Sequence, residues 1–118
     1  PEAFPGYFEF QVNSHKDIAF KAKVMDFSAG GVKLRVHAAD PIFKEDDTLE
    51  GILIFNQRRP IAISGQVRFN RTLPSAEIQI LGLQFVDIDK RIEGRLLSLV
   101  LDIQRELDSK FNPLKPKS

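Results

Sequence analysis

Alternation of apolar and polar residues dominates the first 85 positions of the chain. Phe8, Phe10 and Val12 alternate with Glu9 and Gln11, the two-residue period of a half-buried strand. Asn13 to Asp17 is polar and reads as a turn. Ile18, Phe20, Ala22 and Val24 then alternate with Lys21 and Lys23, which predicts a second strand with its lysines in water. Ser28-Ala29-Gly30-Gly31 breaks it, with a glycine expected at positive φ. Val32, Leu34 and Val36 alternate with Lys33 and Arg35 as a third strand.

His37 to Asp47 contains Pro41 and three consecutive acids, and predicts a loop. Thr48 to Phe55 is apolar on both faces and reads as an interior strand. After a turn at Asn56–Pro60, Ile61, Ile63, Val67 and Phe69 mark the inner face of a fifth strand. Arg71–Ser75 reads as the next turn, and Glu77–Phe85 as a sixth strand. In that strand the apolar phase moves from Ile78 and Ile80 to Leu81, Leu83 and Phe85 around Gly82, the mark of a bulge or barrel corner.

Beyond Phe85 the period changes to that of a helix. Ile92, Leu96, Val100, Ile103, Leu107 and Phe111 fall on one face between about residues 87 and 111. Asp87 or Asp89 is placed to cap its start, Gly94 weakens it, and Pro113 ends it. Residues 113–118 read as a loose tail, so the expected single domain is 1–112. The fold class that follows is all-β dominated: a small six-stranded antiparallel barrel with a C-terminal α-helix.

Composition adds exclusions. A chain of 118 residues with 42% apolar content fits one core. The formal charge of +1 argues against a strongly basic nucleic-acid binder. No Cys is present, which excludes disulfides, a thiol nucleophile and a cysteine zinc site, and agrees with a cytoplasmic location. No apolar run approaches the ~18 residues of a membrane span. His15 and His37 are isolated, and Glu45-Asp46-Asp47 lacks the spacing of a calcium loop, so no metal site and no catalytic constellation is expected. The chain is therefore read as a non-enzyme without a resident cofactor. Opening on Pro rather than Met, it is expected to be a piece of a longer protein.

The most informative stretch is Asp26-x-Ser28-x-x-Gly31 between the second and third strands, together with Gly82-Leu83-Gln84-Phe85 on the last. This arrangement resembles the D/N-x-S-x-x-G motif of the PilZ domain family, whose members have a six-stranded barrel and commonly carry G-x-x-F near the last strand. Leu49-Glu50-Gly51 and the Leu-rich final helix are similar to the flagellar-brake type. The resemblance covers about residues 4 to 110. It implies a bacterial receptor for cyclic di-GMP that conveys the signal to a protein partner in motility or exopolysaccharide control. DNA and RNA are not expected partners.

The implied ligand-binding residues are Asp26, Ser28, Gly30 and Gly31. A carboxylate accepts two hydrogen bonds from a guanine edge, a serine hydroxyl donates to phosphate or base, and glycines let a ligand approach the backbone. Arg68 and Arg71 are the remaining candidates for phosphate contacts. The family's R-x-x-x-R pair before the first strand is missing. Its frame falls on Pro1-Glu2-Ala3-Phe4-Pro5, and no Lys or Arg precedes Lys16. Either the pair lies upstream of Pro1 or it has been lost. Without it, losing charge-assisted contacts of about 1.5–3 kcal/mol each counts against tight nucleotide binding. The alternative is a degenerate PilZ domain that acts as a nucleotide-independent adaptor, with Leu97, Leu99 or Leu101 as its exposed contact. A third class, a barrel that binds single strands through surface aromatics, is disfavoured because Phe8, Phe10, Phe20 and Phe69 all fall on the inferred core face.

Overall fold

The computed structural model describes residues 6–12, 15–37 and 43–111. Six strands and a helix follow in chain order: β1 (Gly6–Val12), β2 (His15–Phe27), β3 (Gly31–His37), β4 (Thr48–Phe55), β5 (Ile61–Leu73), β6 (Ile78–Val86) and α1 (Lys90–Phe111). All pairs are antiparallel and the order β1-β2-β3-β6-β5-β4 closes through β1 and β4. Every strand therefore has a neighbour on both sides, and the predicted barrel stands.

The apolar phase of each strand fills the interior. Phe8, Phe10, Val24, Leu34, Leu49, Leu53, Val67 and Leu81 are all essentially inaccessible. The phenylalanines form two groups. Phe8 stacks on Phe10 at 5.1 Å, and Phe10, Phe20 and Phe43 meet edge to face or tilted at 5.2–5.7 Å. Phe27 packs against Phe55 at 5.2 Å and Phe85 at 6.3 Å. Such ring pairs add directional attraction to the burial itself.

On α1, Leu96, Leu99 and Ile103 join this core, and Ile92 and Val100 pack beside it. Its cap is Asp89, whose Oδ1 accepts a 2.8 Å bond from the Ile92 amide. Asp87 instead takes a left-handed φ of 55° in the approach to the helix. Arg58 pairs with Glu106 at 3.0 Å and Arg95 donates to the Pro60 carbonyl at 3.3 Å, tying the helix to the β4–β5 turn. No helix among the described residues is long and apolar enough to cross a membrane.

Several expectations need correction. β2 begins at His15, so Lys16 and Asp17 belong to a strand and not to a turn. Ile18 is 46% exposed although it shares the apolar phase of Phe20, because the β1–β2 register shifts between Phe10 and Val12. β5 runs through Arg71 to Leu73 and the turn comes after it, as a short 3-10 segment at Pro74–Ala76. In the stretch expected to be a loop, Phe43 is buried within the first aromatic group. Residues 38–42, Asn13, Ser14 and the expected tail at 113–118 lie outside the described residues, as do the side chains of Leu107 and Phe111.

β6 carries no phase shift. Gln79, Leu81, Leu83 and Phe85 all point inward in one unbroken register with β3. The apparent shift arises because the inward position at 79 holds a polar residue. Gln79 is 1% exposed yet satisfied: its Nε2 donates to the His37 carbonyl at 3.3 Å and its Oε1 accepts from Asn70 Nδ2 at 2.9 Å. Asn70 also donates to the Phe43 carbonyl at 2.9 Å. Among the described residues no buried side-chain polar atom lacks a partner.

Candidate functional site

Two bulges shape the outer surface of the barrel. In β2, Val24 pairs with Leu34 but Asp26 pairs with the very next residue, Lys33, so Met25 is an inserted residue. In β5, Val67 pairs with Leu83 and Phe69 with the adjacent Gly82, so Arg68 is inserted. One extra residue reverses the facing of everything after it. Without the first bulge Asp26 would point into the core. Without the second, Phe69 would do so.

The register then carries both residues onto one row. Asp26 lies opposite Lys33, Lys33 opposite Gly82, and Gly82 opposite Phe69, across β2, β3, β6 and β5. Phe69 is 45% exposed, which overturns its expected place in the core. Its ring occupies the space where a side chain at position 82 would stand. This is the reason for Gly82: the sheet needs a bare backbone there for the ring to lie on.

Above this row sits the Asp26–Gly31 turn. The Asp26 Oδ1 accepts a 2.9 Å bond from the Phe27 amide, which fixes the carboxylate's orientation and leaves Oδ2 free. The Ser28 amide donates to the Gly31 carbonyl at 2.9 Å. The Ser28 hydroxyl also points inward, donating to the Gly31 carbonyl and accepting from the Gly30 amide, both at 3.3 Å. Its hydrogen is thus spent on the turn, and what it offers outward is acceptor capacity, contrary to the expected role as donor. The Gly30 carbonyl accepts from the Phe85 amide at 3.0 Å, locking the turn to β6.

Neither glycine has a positive φ, so conformational freedom is not why they are here. A Cβ on Gly31 would collide with the Leu83 carbonyl oxygen, so only glycine lets β3 and β6 approach this closely. A Cβ on Gly30 would meet nothing within 4 Å. Gly30 is open ground at the rim.

These parts enclose an open cleft of about 270 Å³. Asp26, Ser28, Gly30 and Gly31 all line it, joined by Lys33, Phe69 and Gln84. Arg68 lines it too. Its Nε donates to Gln84 Oε1 at 2.6 Å, and its Nη1 stands 3.9 Å from Asp46 Oδ1. The ion pair is exposed at both ends and contributes little. The short bond to Gln84 is what aims the guanidinium. Asp46 is held in place by backbone bonds between the acidic turn and β5: its amide donates to the Val67 carbonyl at 2.8 Å, and the Val67 amide donates to the Asp47 carbonyl at 2.9 Å.

Arg71 is not part of this cleft. It pairs with Ile80, which pairs with Arg35, so it lies one outward row further along β5 and β6. The segment Pro1–Pro5, where an arginine pair is missing, lies outside the described residues. Sequence reasoning missed Phe69, Lys33 and Gln84 as cleft residues. The bulges that turn the first outward leave only a faint trace in the sequence. Chemically the cleft offers a free carboxylate oxygen, an aromatic face, two cations and open backbone, a set suited to a planar, hydrogen-bonding, anionic ligand. Among the described residues, no group of three or more His, Cys, Asp or Glu is placed to hold a metal ion.

Comparison with known proteins identifies the fold. A family model described as PilZ domain matches residues 5–102. No curated protein matches the chain. Among solved structures, the chain is similar to the PilZ domain with c-di-GMP of YcgR from Escherichia coli, with a TM-score of 0.77 at 16% identity, covering 95% of this chain and 91% of that one. It is also similar to the MrkH–c-di-GMP complex of K. pneumonia, with a TM-score of 0.75 at 20% identity over 91% of this chain and 50% of that one. A third is the Bacillus subtilis inhibitor of motility MotI/DgrA, at 0.68 and 17%, over 87% and 51%. The chain spans about half the length of the latter two.

Proposed function

The chain belongs to the PilZ domain family, whose members are cyclic di-GMP receptor modules, and on that premise we propose that the cleft between the Asp26–Gly31 turn and Phe69 is where this chain takes the nucleotide. One observation carries the reading: the whole Asp26-x-Ser28-x-x-Gly31 motif, the exposed ring of Phe69 and the guanidinium of Arg68 line one cavity. The free oxygen of Asp26 accepts from the N–H edge of a guanine. Phe69 supplies a face for a base to stack on. Gly30 and Gly31 leave room for the ligand against the backbone, and Ser28 serves as an acceptor. Lys33 and Arg68 face the phosphates.

The charge balance predicts modest affinity. Lys33 and Arg68 are offset by Asp26, leaving a lining charge of +1 against two phosphates. On this reading the domain is a receptor or adaptor and not an enzyme, works in the cytoplasm, and passes its signal to a protein partner in motility or exopolysaccharide control. A motility role is in keeping with the similar Bacillus subtilis protein, an inhibitor of motility.

A second reading is favoured by the shortage of cations. The domain then acts as an adaptor without nucleotide, and the exposed Leu97 and Leu101 on α1 are its contact; Leu99, at 6% exposure, belongs to the core. Calorimetric titration with cyclic di-GMP separates the two. The receptor reading expects saturable heat with a dissociation constant up to roughly tens of micromolar, weakened about tenfold or more by Asp26→Ala. No heat in that range leaves the adaptor reading, and heat that Asp26→Ala does not alter moves the site elsewhere.

A further inference from the structure

We propose that the groove between the β4–β5 turn and α1 is a separate binding site for an extended acidic peptide segment of a partner protein. The groove encloses about 610 Å³ and is lined by four arginines, Arg58, Arg59, Arg91 and Arg95, against one carboxylate, Asp102. In a chain whose formal charge is +1, that is the densest concentration of one sign in either cleft described.

Two of the arginines are held ready. Arg58 is 21% exposed, and its guanidinium is fixed by the Asn56 carbonyl at 3.3 Å and Glu106 at 3.0 Å. Arg95 is pinned by the Pro60 carbonyl at 3.3 Å. The other two, Arg59 and Arg91, are exposed and make no ion pair or hydrogen bond among the described residues. Prepositioned forks beside free ones suit carboxylates presented in series, because each fork takes one carboxylate in a bidentate grip.

The shape of the groove favours a chain over a compact ion. From Arg91 to Asp102 the helix advances about 16 Å, the reach of roughly five residues of extended peptide. Ile61 and Leu99 also line the groove, but both are almost wholly buried, so the arginines and not apolar contacts carry the preference for the segment. Gly94 stands in the same lining, and a Cβ there would meet nothing within 4 Å. A glycine in the interior of a helix weakens it, and among the described residues nothing lies within 4 Å of the space it leaves. That space is where a peptide backbone passes close to the helix. A nucleic acid is the poorer fit, since the chain as a whole carries a formal charge of only +1.

The test uses fluorescence anisotropy with a fluorescein-labelled peptide of alternating Glu and Leu and its Gln–Leu counterpart. The expected result is saturable binding of the acidic peptide only, weakened about tenfold or more by Arg59→Glu with Arg91→Glu. These two side chains are exposed and unpaired, so circular dichroism should be unchanged. Gly94→Trp, which fills the groove without removing a charge, should also abolish binding. Equal binding of the neutral peptide, or indifference to the arginine reversals, overturns the proposal. So does a short DNA duplex that binds more tightly than the peptide through the same arginines.

Discussion

Phe69 lies on Gly82. The two are register partners across β5 and β6, and the ring fills the space that any side chain at 82 would need. The pair makes a flat aromatic surface outside the barrel, and its removal tests whether that surface holds a base. Phe69→Ala is expected to weaken cyclic di-GMP about 5- to 100-fold, the scale of one base stacked on one ring. Melting temperature should hardly move, because the ring is 45% exposed. Gly82→Val should weaken binding as well, by forcing the ring aside. Titration calorimetry beside thermal melts reads both effects, and unchanged affinity in Phe69→Ala would remove the ring from the site.

The two glycines of the turn should behave oppositely. Gly31→Ala drives a methyl group into the Leu83 carbonyl and should destabilise the fold by roughly 1–3 kcal/mol, the usual cost of overpacking. Gly30→Ala meets open space at a φ that alanine tolerates, so stability should hold or rise by up to about 1 kcal/mol. Nucleotide affinity should nonetheless fall in Gly30→Ala, because its methyl group stands in the cleft. Urea titrations give the first two outcomes and calorimetry the third. A Gly30→Ala protein that binds as tightly as the parent would show that the ligand keeps clear of this rim.

Restoring the absent cations should raise affinity. The resemblance to the family sets its arginine frame on Pro1 and Pro5 unless the pair lies upstream of Pro1. Placing arginine at both adds two charge-assisted contacts of about 1.5–3 kcal/mol each, a gain on the order of a hundredfold or more. The gain should shrink as salt rises, since it is largely electrostatic. Titrations at two ionic strengths check it, and a double variant that binds no better would mean that the rest of the cleft is not a nucleotide site.

Gln79 predicts a purely structural effect. Gln79→Leu leaves the His37 carbonyl without its side-chain donor and Asn70 without one acceptor, at a cost of roughly 1–3 kcal/mol. The network lies on the inward side of β6, away from the cleft, so affinity measured well below the melting point should not change. A Gln79→Leu protein as stable as the parent would mean the network is replaceable by apolar packing.

Most of the barrel was legible in the residues. Alternation located most of the strands, because a barrel with one core imposes a two-residue period, and Thr48–Phe55, found as a short run apolar on both faces, matches β4 to the residue. The helix was equally plain, since its buried face repeats every three or four residues. The motif was legible too, as a short spacing of Asp, Ser and Gly at one strand junction. What escaped was the consequence of inserted residues. Phe69 shares the phase of Val67, and only a bulge at Arg68 turns it outward. A disturbance was visible near Gly82, but a single strand's pattern does not say which partner carries the extra residue. Gln79 deepened the ambiguity by placing a polar side chain at an inward position.

The closed ring of six strands limits how any partner can read this domain. A sheet with a free margin can be recognised through its backbone, by a visiting segment that adds itself as one more strand. Here no strand has a wholly free side, and strand addition is confined to the stretches that outrun their neighbours, β2 before Lys23 on the β3 side and the end of β5 on the β4 side. Over the rest of the barrel recognition runs through side chains, and the places proposed for it are the Asp26 cleft, the arginine groove and the outer face of α1. Specificity in such a module is therefore written in surface residues, and it can be rewritten there without disturbing the barrel.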